Sequence, residues 1–275
     1  MLPTFLCIGA QKAGTTWLYE QIRQHPDFWF PPPFKEVHFF DYHYAAGGRQ
    51  SSRPVLRTFS RMNIFYRLSP YIRRIRNHPD ILSEDWYRQV YDHPKARGRV
   101  ACDFTPAYSM INDKGVEAAK RLLPDAKVLL IIREPVSRAA SQIRMDYHRK
   151  GYGPKDNESE GAVDDDSSFN WRAAAKSALL RSRYSIIVPR WRSAFGDNFH
   201  CIAFRRIVTE PHRVLAEVEK LNGVKSMSYK RAEEQIHQTK AVDIPPEVYA
   251  YLNKKLAPER DFILREFGSE FAAQT

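Results

Sequence analysis

The sequence has few cysteines and no long apolar run. Its three cysteines, Cys7, Cys102 and Cys201, are odd in number and far apart, so we expect buried free thiols in a reducing compartment. No Cys/His cluster has zinc spacing, and no run of about 18 apolar residues could span a membrane. The N-terminal stretch also lacks the basic region of a secretory signal. These absences predict a cytoplasmic protein without a metal site.

The composition is that of a folded, basic protein. Of 275 residues, 43% are hydrophobic and 27% are charged, which is typical of a globular chain. Forty-three Lys+Arg against 32 Asp+Glu give a formal charge of +11, which favours an anionic partner. No nucleic-acid-binding motif is present, so we do not expect that partner to be a nucleic acid. The oligomeric state stays open.

Short apolar strands alternate with helical segments along the chain. The predicted strands are Thr4–Ile8, Arg99–Cys102, Lys127–Ile132 and Phe199–Phe204. The predicted helices are Gly14–His25, Lys114–Leu123, Pro135–Arg149, Pro211–Leu221, Glu247–Leu256 and Pro258–Phe267. This alternation requires crossover connections. It predicts a single α/β domain over residues 1–275, with a mainly parallel central sheet flanked by helices.

Two stretches interrupt the alternation. Segment 49–76 holds eight arginines and no acidic residue. Four of the arginines recur at every fourth position, so a helix there would carry one basic stripe: Arg49, Arg53, Arg57 and Arg61. Pro54 predicts a helix boundary inside this segment. We expect a basic insertion that is either a solvated face or a contact for an anionic acceptor or an acidic membrane surface. Segment 151–168, rich in Gly, Asp, Ser and Glu, predicts a mobile loop.

The strongest local signal is the loop between the first strand and the first helix. It reads Gly9-Ala10-Gln11-Lys12-Ala13-Gly14-Thr15-Thr16. Such a loop gathers backbone N–H groups and the positive end of a helix dipole, which together bind anions. In the nucleotide loop G-x-x-x-x-G-K-[ST] a lysine follows the second glycine, but here Thr15 has that position. An ordinary ATP or GTP hydrolase is therefore disfavoured, and a glycine turn with ordinary helix capping remains the alternative.

A second anion site is predicted after the strand Lys127–Ile132. Arg133 lies at its carboxyl end, where open α/β sheets bind ligands. Ser141 follows within the next helix and could add a hydroxyl donor to a phosphate held by Arg133. The alternative is a surface salt bridge between Arg133 and Glu134.

Together these segments resemble the cytosolic and Golgi sulfotransferase superfamily, which uses 3′-phosphoadenosine 5′-phosphosulfate (PAPS). The loop IGAQKAGTTWL is similar to its 5′-phosphosulfate motif, and LIIREPVSRAASQIR to its 3′-phosphate motif. The segment KEVHFFD resembles heparan sulfate glucosaminyl sulfotransferases, and the stretch RYSIIVPRWRSAFGDNFHCIAFRRIVTEPHRVL resembles the family's helix and strand. The resemblance covers about Phe5 to Gly268. It implies a P-loop-like fold, transfer from PAPS with adenosine 3′,5′-bisphosphate as product, and no requirement for a metal.

The resemblance assigns roles by position. Lys12 would contact the phosphosulfate bridge, and Thr15 and Thr16 the 5′-phosphate. Arg133 and Ser141 would hold the 3′-phosphate. The full set of expected cofactor-binding residues is Gln11, Lys12, Ala13, Gly14, Thr15, Thr16, Trp17, Arg133, Ser141, Tyr184 and Lys240.

The expected catalytic residues are Lys12, Glu36 and His38. Glu36 matches the family's general base, and a carboxylate within about 3 Å of the acceptor hydrogen suits that role. His38 matches a nearby histidine and is the next candidate for the base. For Asp41 a cap or turn role is favoured. For Glu36 the alternative is a plain salt bridge with Lys35 or an arginine.

One position departs from the heparan sulfate type. That type has Glu-Lys before Ser/Thr-Pro, whereas this chain has Asp103-Phe104-Thr105-Pro106. The lysine's role is then lost or supplied by another basic residue. The expected acceptor is a carbohydrate, a glycolipid or a small molecule with a hydroxyl or an amine. A P-loop nucleotide kinase and a non-catalytic protein that binds polyanions are the two alternative functions.

Overall fold

A five-stranded parallel sheet forms the centre of the molecule. The structure is a computed structural model and describes residues 1–32, 34–45, 53–62, 64–152, 168–234 and 241–275. The strands are β1 Phe5–Gly9, β2 Phe28–Trp29, β3 Val100–Phe104, β4 Lys127–Ile132 and β5 Phe199–Ala203. They lie in the order β2-β3-β1-β4-β5 and every pairing is parallel. The predicted α/β fold is confirmed, although the two-residue edge strand β2 was not predicted.

Helices surround this sheet. In chain order they are α1 Thr15–Ile22, α2 Phe39–Tyr44, α3 Arg53–Arg61, α4 Ile64–Leu68, α5 Pro70–Arg76, α6 Glu84–Tyr91, α7 Asp113–Leu122, α8 Pro135–Arg149, α9 Trp171–Leu180, α10 Tyr184–Phe195, α11 Arg206–Thr209, α12 Pro211–Leu221 and α13 Pro246–Ala273. The bounds predicted for β4, α8 and α12 are those observed. Helix α1 is shorter than predicted and ends at Ile22.

Burial explains why β1 and β4 are composed almost entirely of apolar residues. All five residues of β1 are inaccessible to solvent, and so are the apolar residues of β4. A parallel strand covered on both faces needs apolar side chains at every position. A second apolar cluster lies among α8, α9 and the first half of α13.

The C-terminal segment differs from its prediction. Two helices separated before Pro258 were expected, but α13 continues through Pro258. The helix persists because Leu256 and Ile263 are buried on either side of the proline, and tertiary packing outweighs the local cost of a proline. The helical backbone is interrupted only at Gly268, whose φ is 82°. The predicted end of a helix at that glycine is therefore confirmed.

Some predictions fall on residues that the structure does not describe. Most of the predicted loop, residues 153–167, lies outside the described residues. The same is true of Arg49 and of the Arg53 side chain in the basic segment. The described part of that segment forms α3, α4 and α5, with Pro54 in the first turn of α3. In the described ranges, no helix has the length and apolar character needed to cross a membrane.

The strand order brings the predicted motifs together. Strand β1 lies between β3 and β4, so the carboxyl ends of these three strands are neighbours. Ligands of open α/β sheets bind at this edge, where the strand order reverses. The loop 10–14 leaves β1 there, Thr105 follows β3, and Arg133 follows β4.

Gly14 is a site where a side chain is expected to be costly. Its φ is +85°, and an added Cβ would lie 2.8 Å from Ile207 Cδ1. Gly223 has a similar φ of +66° but open space around it. We expect Gly14→Ala to lower the free energy of unfolding by about 2–4 kcal/mol, because strain and overpacking add. Gly223→Ala, with strain alone, should lose about 1 kcal/mol. Urea denaturation measures both, and equal losses would contradict the packing argument.

Candidate active site

The loop after β1 leads into the N-terminus of α1, which no side chain caps. Gly14 is the N-cap of α1; it offers no side chain, and the first turn of α1 contains no acidic residue. Lys12 adopts a left-handed backbone, with φ 69°. The loop is closed by a hydrogen bond from the Ala13 N–H to the Ala10 carbonyl at 3.1 Å. The positive end of the α1 dipole is therefore not neutralised by a side chain of its own helix, as an anion site requires.

Arg133 joins β4 to this loop. Its Nη1 donates to the Lys12 carbonyl at 2.8 Å, and its guanidinium lies 4.5 Å from the centre of the Phe204 ring. The Tyr184 hydroxyl accepts from the Arg133 N–H at 3.2 Å and donates to the Arg133 carbonyl at 3.0 Å. Glu134, the alternative partner, instead caps α8. The predicted alternative of an Arg133–Glu134 surface pair is therefore wrong.

The cations around the loop repel one another. Burial lowers the pKa of Lys12, and the charges of Arg133 and Lys35 lower it further. Burial also lowers the pKa of Arg133. Asp146 acts in the opposite direction on Lys12. A group of partly buried cations with perturbed pKa values is typical of a binding site for an anion.

A second arginine, from α8, forms a hydrogen bond with the loop. Arg138, in α8, is completely buried. Its guanidinium donates to the Gln11 carbonyl at 3.3 Å, to Gln142 Oε1 at 2.9 Å and to Ser182 Oγ at 2.6 Å, and also to the Ala178 carbonyl. Burial lowers the pKa of Arg138 to about 10, so it stays charged at neutral pH. Arg138 therefore ties the loop to α8 and to the turn between α9 and α10.

Glu36 is held by two cationic side chains. His38 Nε2 lies 3.3 Å from one carboxylate oxygen, and Lys35 Nζ lies 3.7 Å from the other. Burial raises the pKa of Glu36, but the contacts with His38 and Lys35 outweigh it and lower the pKa below 4.5. The carboxylate is one-third exposed. It is therefore ionised at neutral pH and accessible to a substrate.

The His38 ring makes polar contacts through both of its nitrogens. Its Nδ1 lies 2.9 Å from Asp41 Oδ2, opposite the contact with Glu36. Burial lowers the pKa of His38, but the hydrogen bonds to Asp41 and Glu36 dominate and raise it to about 10. Both ring nitrogens donate in this state, so His38 orients Glu36. That His38 is the next candidate for the base stays a prediction, although its raised pKa favours an orienting role.

Lys35 connects the carboxylate to the loop. Its Nζ donates to Thr16 Oγ1 at 2.6 Å, and the same nitrogen faces Glu36. Thr16 belongs to the first turn of α1. One ammonium group therefore spans the predicted 5′-phosphate position and the predicted base.

A buried carboxylate fixes the segment that carries Glu36. Thr105 Oγ1 accepts from the Val37 N–H at 3.0 Å and donates to Asp103 Oδ1 at 2.7 Å. Tyr87 and Tyr108 each donate to Asp103 Oδ2 at 2.8 Å. Asp103 is almost completely buried, and burial raises its pKa from 3.8 to about 6 despite the three hydroxyl donors. The end of β3 therefore sets the position of the backbone beside Glu36.

The structure places the remaining predicted residues differently. The Trp17 side chain is buried and donates to the Ala232 carbonyl at 2.9 Å, so only its backbone lies in the first turn. Ser141 is buried in α8, and no described side-chain contact joins it to Arg133. Tyr184 acts on the backbone of Arg133, as described above. Lys240 lies outside the described residues.

Sequence reasoning missed three supporting residues. Lys35 was considered only as a partner of Glu36, and Arg138 was not singled out within its motif. Asp41 was expected to act as a cap or a turn residue, but it accepts a hydrogen bond from His38. The spacing of Glu36, His38 and Asp41 in one short segment is the signal that could have identified Asp41. Nothing local in the sequence indicates the contact between Lys35 and Thr16.

The Asp103 network predicts a pH-dependent stability difference. Between pH 3.8 and about 6 the folded protein holds the Asp103 proton more tightly than the unfolded chain does. The contribution of Asp103 to the free energy of unfolding therefore falls as pH rises through that range. We expect Asp103→Asn, which replaces an acceptor by a donor, to lose about 1–3 kcal/mol above that range and more below it.

Urea denaturation across this pH range measures the difference between wild type and Asp103→Asn. The exposed Asp125 provides the control variant Asp125→Asn, for which we expect only a small effect on the free energy of unfolding. A difference for Asp103→Asn that widens with rising pH would contradict the assignment.

Comparisons with known proteins identify the family to which this chain is similar. The sequence model of the family described as "Sulfotransferase family" matches residues 3–227. The chain is 28% identical over 244 residues to bifunctional heparan sulfate N-deacetylase/N-sulfotransferase 1 of Mus musculus, covering 82% of this chain and 22% of that protein. It is 26% identical over 225 residues to heparan sulfate glucosamine 3-O-sulfotransferase 5 of Mus musculus, covering 80% and 53%. The chain thus spans only a fifth to a half of these relatives.

Solved structures support the fold. A sulfotransferase from Alicyclobacillus acidocaldarius superposes with a TM-score of 0.63 at 22% identity, covering 97% of this chain and 96% of that one. The sulfotransferase domain from the curacin biosynthetic pathway superposes with a TM-score of 0.53 at 14% identity, covering 94% and 98%. These identities speak for the fold, while the family match spans most of the sequence. The chain belongs to the sulfotransferase family.

Proposed function

We propose that this sulfotransferase moves a sulfuryl group from PAPS to a hydroxyl or amine, with Glu36 as general base. One observation carries the proposal: Lys35 Nζ contacts Thr16 in the anion loop and faces the Glu36 carboxylate. This contact supports the proposal because it links the Glu36 carboxylate to the loop in which the anionic donor would bind. In-line transfer requires that proximity.

The residues around the loop fit the two charged ends of PAPS. The uncapped first turn of α1, Thr15, Thr16 and Lys12 would hold the 5′ end. Arg133, which is bonded to the loop through the Lys12 carbonyl, would hold the 3′-phosphate together with Ser141. The repulsion among these cations, which lowers the pKa of Lys12, would be relieved by an anionic ligand.

Each residue then has a chemical task. The bound donor supplies an activated sulfuryl group. Glu36 accepts the proton that the acceptor hydroxyl or amine loses as it attacks. Lys12 and the first-turn N–H groups stabilise the negative charge that develops on the departing phosphate. His38 and Asp41 hold the Glu36 carboxylate in place.

The proposed acceptor is a carbohydrate or a glycolipid, with a small molecule as the remaining option. The relatives named above are heparan sulfate sulfotransferases, and the segment KEVHFFD resembles theirs. Phe104 replaces the lysine of that type and is buried in this chain, so we do not expect heparan sulfate itself to be the preferred acceptor. The cytoplasmic location stays a prediction.

Glu36→Gln and Lys12→Ala should separate chemistry from binding. Glu36→Gln keeps the shape of the site but cannot accept a proton, so turnover should fall about 10²–10⁴-fold while adenosine 3′,5′-bisphosphate still binds. Lys12→Ala should abolish transfer. The measurements are the gain of one sulfuryl group in product mass spectra from a panel of acceptors, and calorimetry with the bisphosphate.

The matched control is Glu20→Gln, an α1 glutamate that pairs with Arg23; it should keep full turnover. Full turnover of Glu36→Gln would remove Glu36 from the mechanism. Phosphoryl transfer from ATP that EDTA abolishes would instead identify a kinase. Salt-sensitive binding of heparin, without any binding of the bisphosphate, would identify a non-catalytic protein that binds polyanions.

Lys35 should affect the rate and its pH dependence together. We expect Lys35→Ala to lower kcat about 10²–10³-fold, because a cation between donor and base is lost. The acid limb of the rate profile should move to higher pH, since Lys35 contributes to the lowered pKa of Glu36. Lys35→Arg keeps the charge and should restore part of the rate. A reduced rate with an unmoved acid limb would show that Lys35 only supports Thr16.

A further inference from the structure

The basic segment exposes large apolar side chains beside its arginines. Leu56 is 47% exposed, Ile64 61% and Leu68 64%. Ile64 and Leu68 are four residues apart in α4, so they lie on the same face of that helix. Single exposed leucines are common on protein surfaces, but three such residues fall within the two consecutive helices α3 and α4, and this concentration indicates an interaction surface.

These side chains are not displaced core residues. The core side of the segment is already filled by Val55, Phe59, Ile72 and Ile75, all buried. The Phe59 ring packs edge to face on Phe34, with centres 5.4 Å apart. The exposed apolar side chains therefore lie on the outer side of the segment, whose inner side packs against the core.

The same surface is positively charged. Residues 49–76 contain no acidic side chain. Arg57, Arg61 and Arg73 are exposed, and none of them forms an ion pair within the described part of the chain. Arg74 differs, because it pairs with Asp92 at 3.0 Å.

We propose that Leu56, Arg57, Arg61, Ile64, Leu68 and Arg73 form a face that binds the surface of an anionic lipid bilayer. A sulfated glycan would satisfy the arginines but would leave the three apolar side chains in water. A bilayer with anionic headgroups satisfies both, since arginines bind the headgroups and leucines enter the acyl boundary. The combination of charge and exposed apolar groups therefore favours a lipid surface.

Helix α3, which carries Leu56, Arg57 and Arg61, packs through Phe59 on the segment that leads into the candidate active site. Phe34, on which α3 packs, directly precedes Lys35 and Glu36 in the chain. If the proposed function holds, which this step assumes, bound enzyme would hold Glu36 near the headgroup layer. An acceptor carried in that layer, such as a glycolipid hydroxyl, would then be favoured over a free sugar.

Co-sedimentation with vesicles tests the binding face without reference to activity. Wild-type protein should pellet with vesicles made of equal parts phosphatidylcholine and phosphatidylglycerol, and should stay in solution with phosphatidylcholine alone. The triple variant L56S, I64S and L68S should bind at least about tenfold more weakly. Substituting Arg57, Arg61 and Arg73 by Gln should weaken binding roughly fivefold per arginine.

The matched control replaces three exposed apolar residues elsewhere, Leu180, Ile186 and Leu264, by Ser and should bind like wild type. All variants change exposed residues, and cooperative thermal unfolding checks that each is folded. The proposal is overturned if wild type does not pellet with the anionic vesicles, or if the control loses as much binding as the first triple variant. Heparin binding without vesicle binding would identify a glycan-docking surface instead. A missing sulfotransfer activity would leave the vesicle result unaffected.

Discussion

The hydrogen bond from Arg133 to the Lys12 carbonyl is the contact on which the site depends. It links the loop after β1 to the end of β4 at 2.8 Å, and it does so between two residues whose charges repel. The left-handed backbone of Lys12 costs about 1 kcal/mol. A hydrogen bond from a charged donor contributes about 1.5–3 kcal/mol, and Arg138 adds another on Gln11. The arginine contacts therefore outweigh the backbone strain, and they leave the first-turn N–H groups of α1 free to face an anion.

Glu36, the proposed base, is positioned by a separate network that contains a buried carboxylate. Asp103 is a buried carboxylate whose cost of desolvation is only partly offset by three hydroxyl donors, as its pKa of about 6 shows. The Asp103 carboxylate accepts a hydrogen bond from Thr105, and Thr105 in turn accepts one from the Val37 N–H. Through Thr105, Asp103 therefore fixes the position of the backbone at Val37. His38 then holds Glu36 from the side. The loop and the base are thus supported from different strands, β4 and β3, and Lys35 is the described side chain that contacts both.

Elements that depend on a local sequence pattern were predicted correctly. Features that depend on contacts between residues far apart in the chain were not. The apolar run between Lys127 and Arg133 is typical of a strand covered on both faces, so β4 was predicted correctly, whereas the anion site at its end stays a prediction. Pro258 was interpreted as a helix break because proline removes a local hydrogen bond. Tertiary contacts outweigh that loss: Glu259, the next residue, accepts from the backbone and hydroxyl of Ser185 at 2.8 Å. The contact between Lys35 and Thr16 joins residues in different elements, and no periodicity encodes it.

The phenylalanine at position 104 is consistent with the role proposed for Lys35. Phe104 points into the core, where its ring packs edge to face on Phe5 and Phe30 at 5.4 and 5.1 Å. The end of β3 therefore cannot deliver a cation to the site, as the heparan sulfate type of segment would. Lys35 directly precedes Glu36 in the chain. The ammonium group and the carboxylate are therefore held close to each other. A site arranged in this way keeps its cation, Lys35, next to both Glu36 and Thr16 of the loop, while the residue at the end of β3 is apolar and buried.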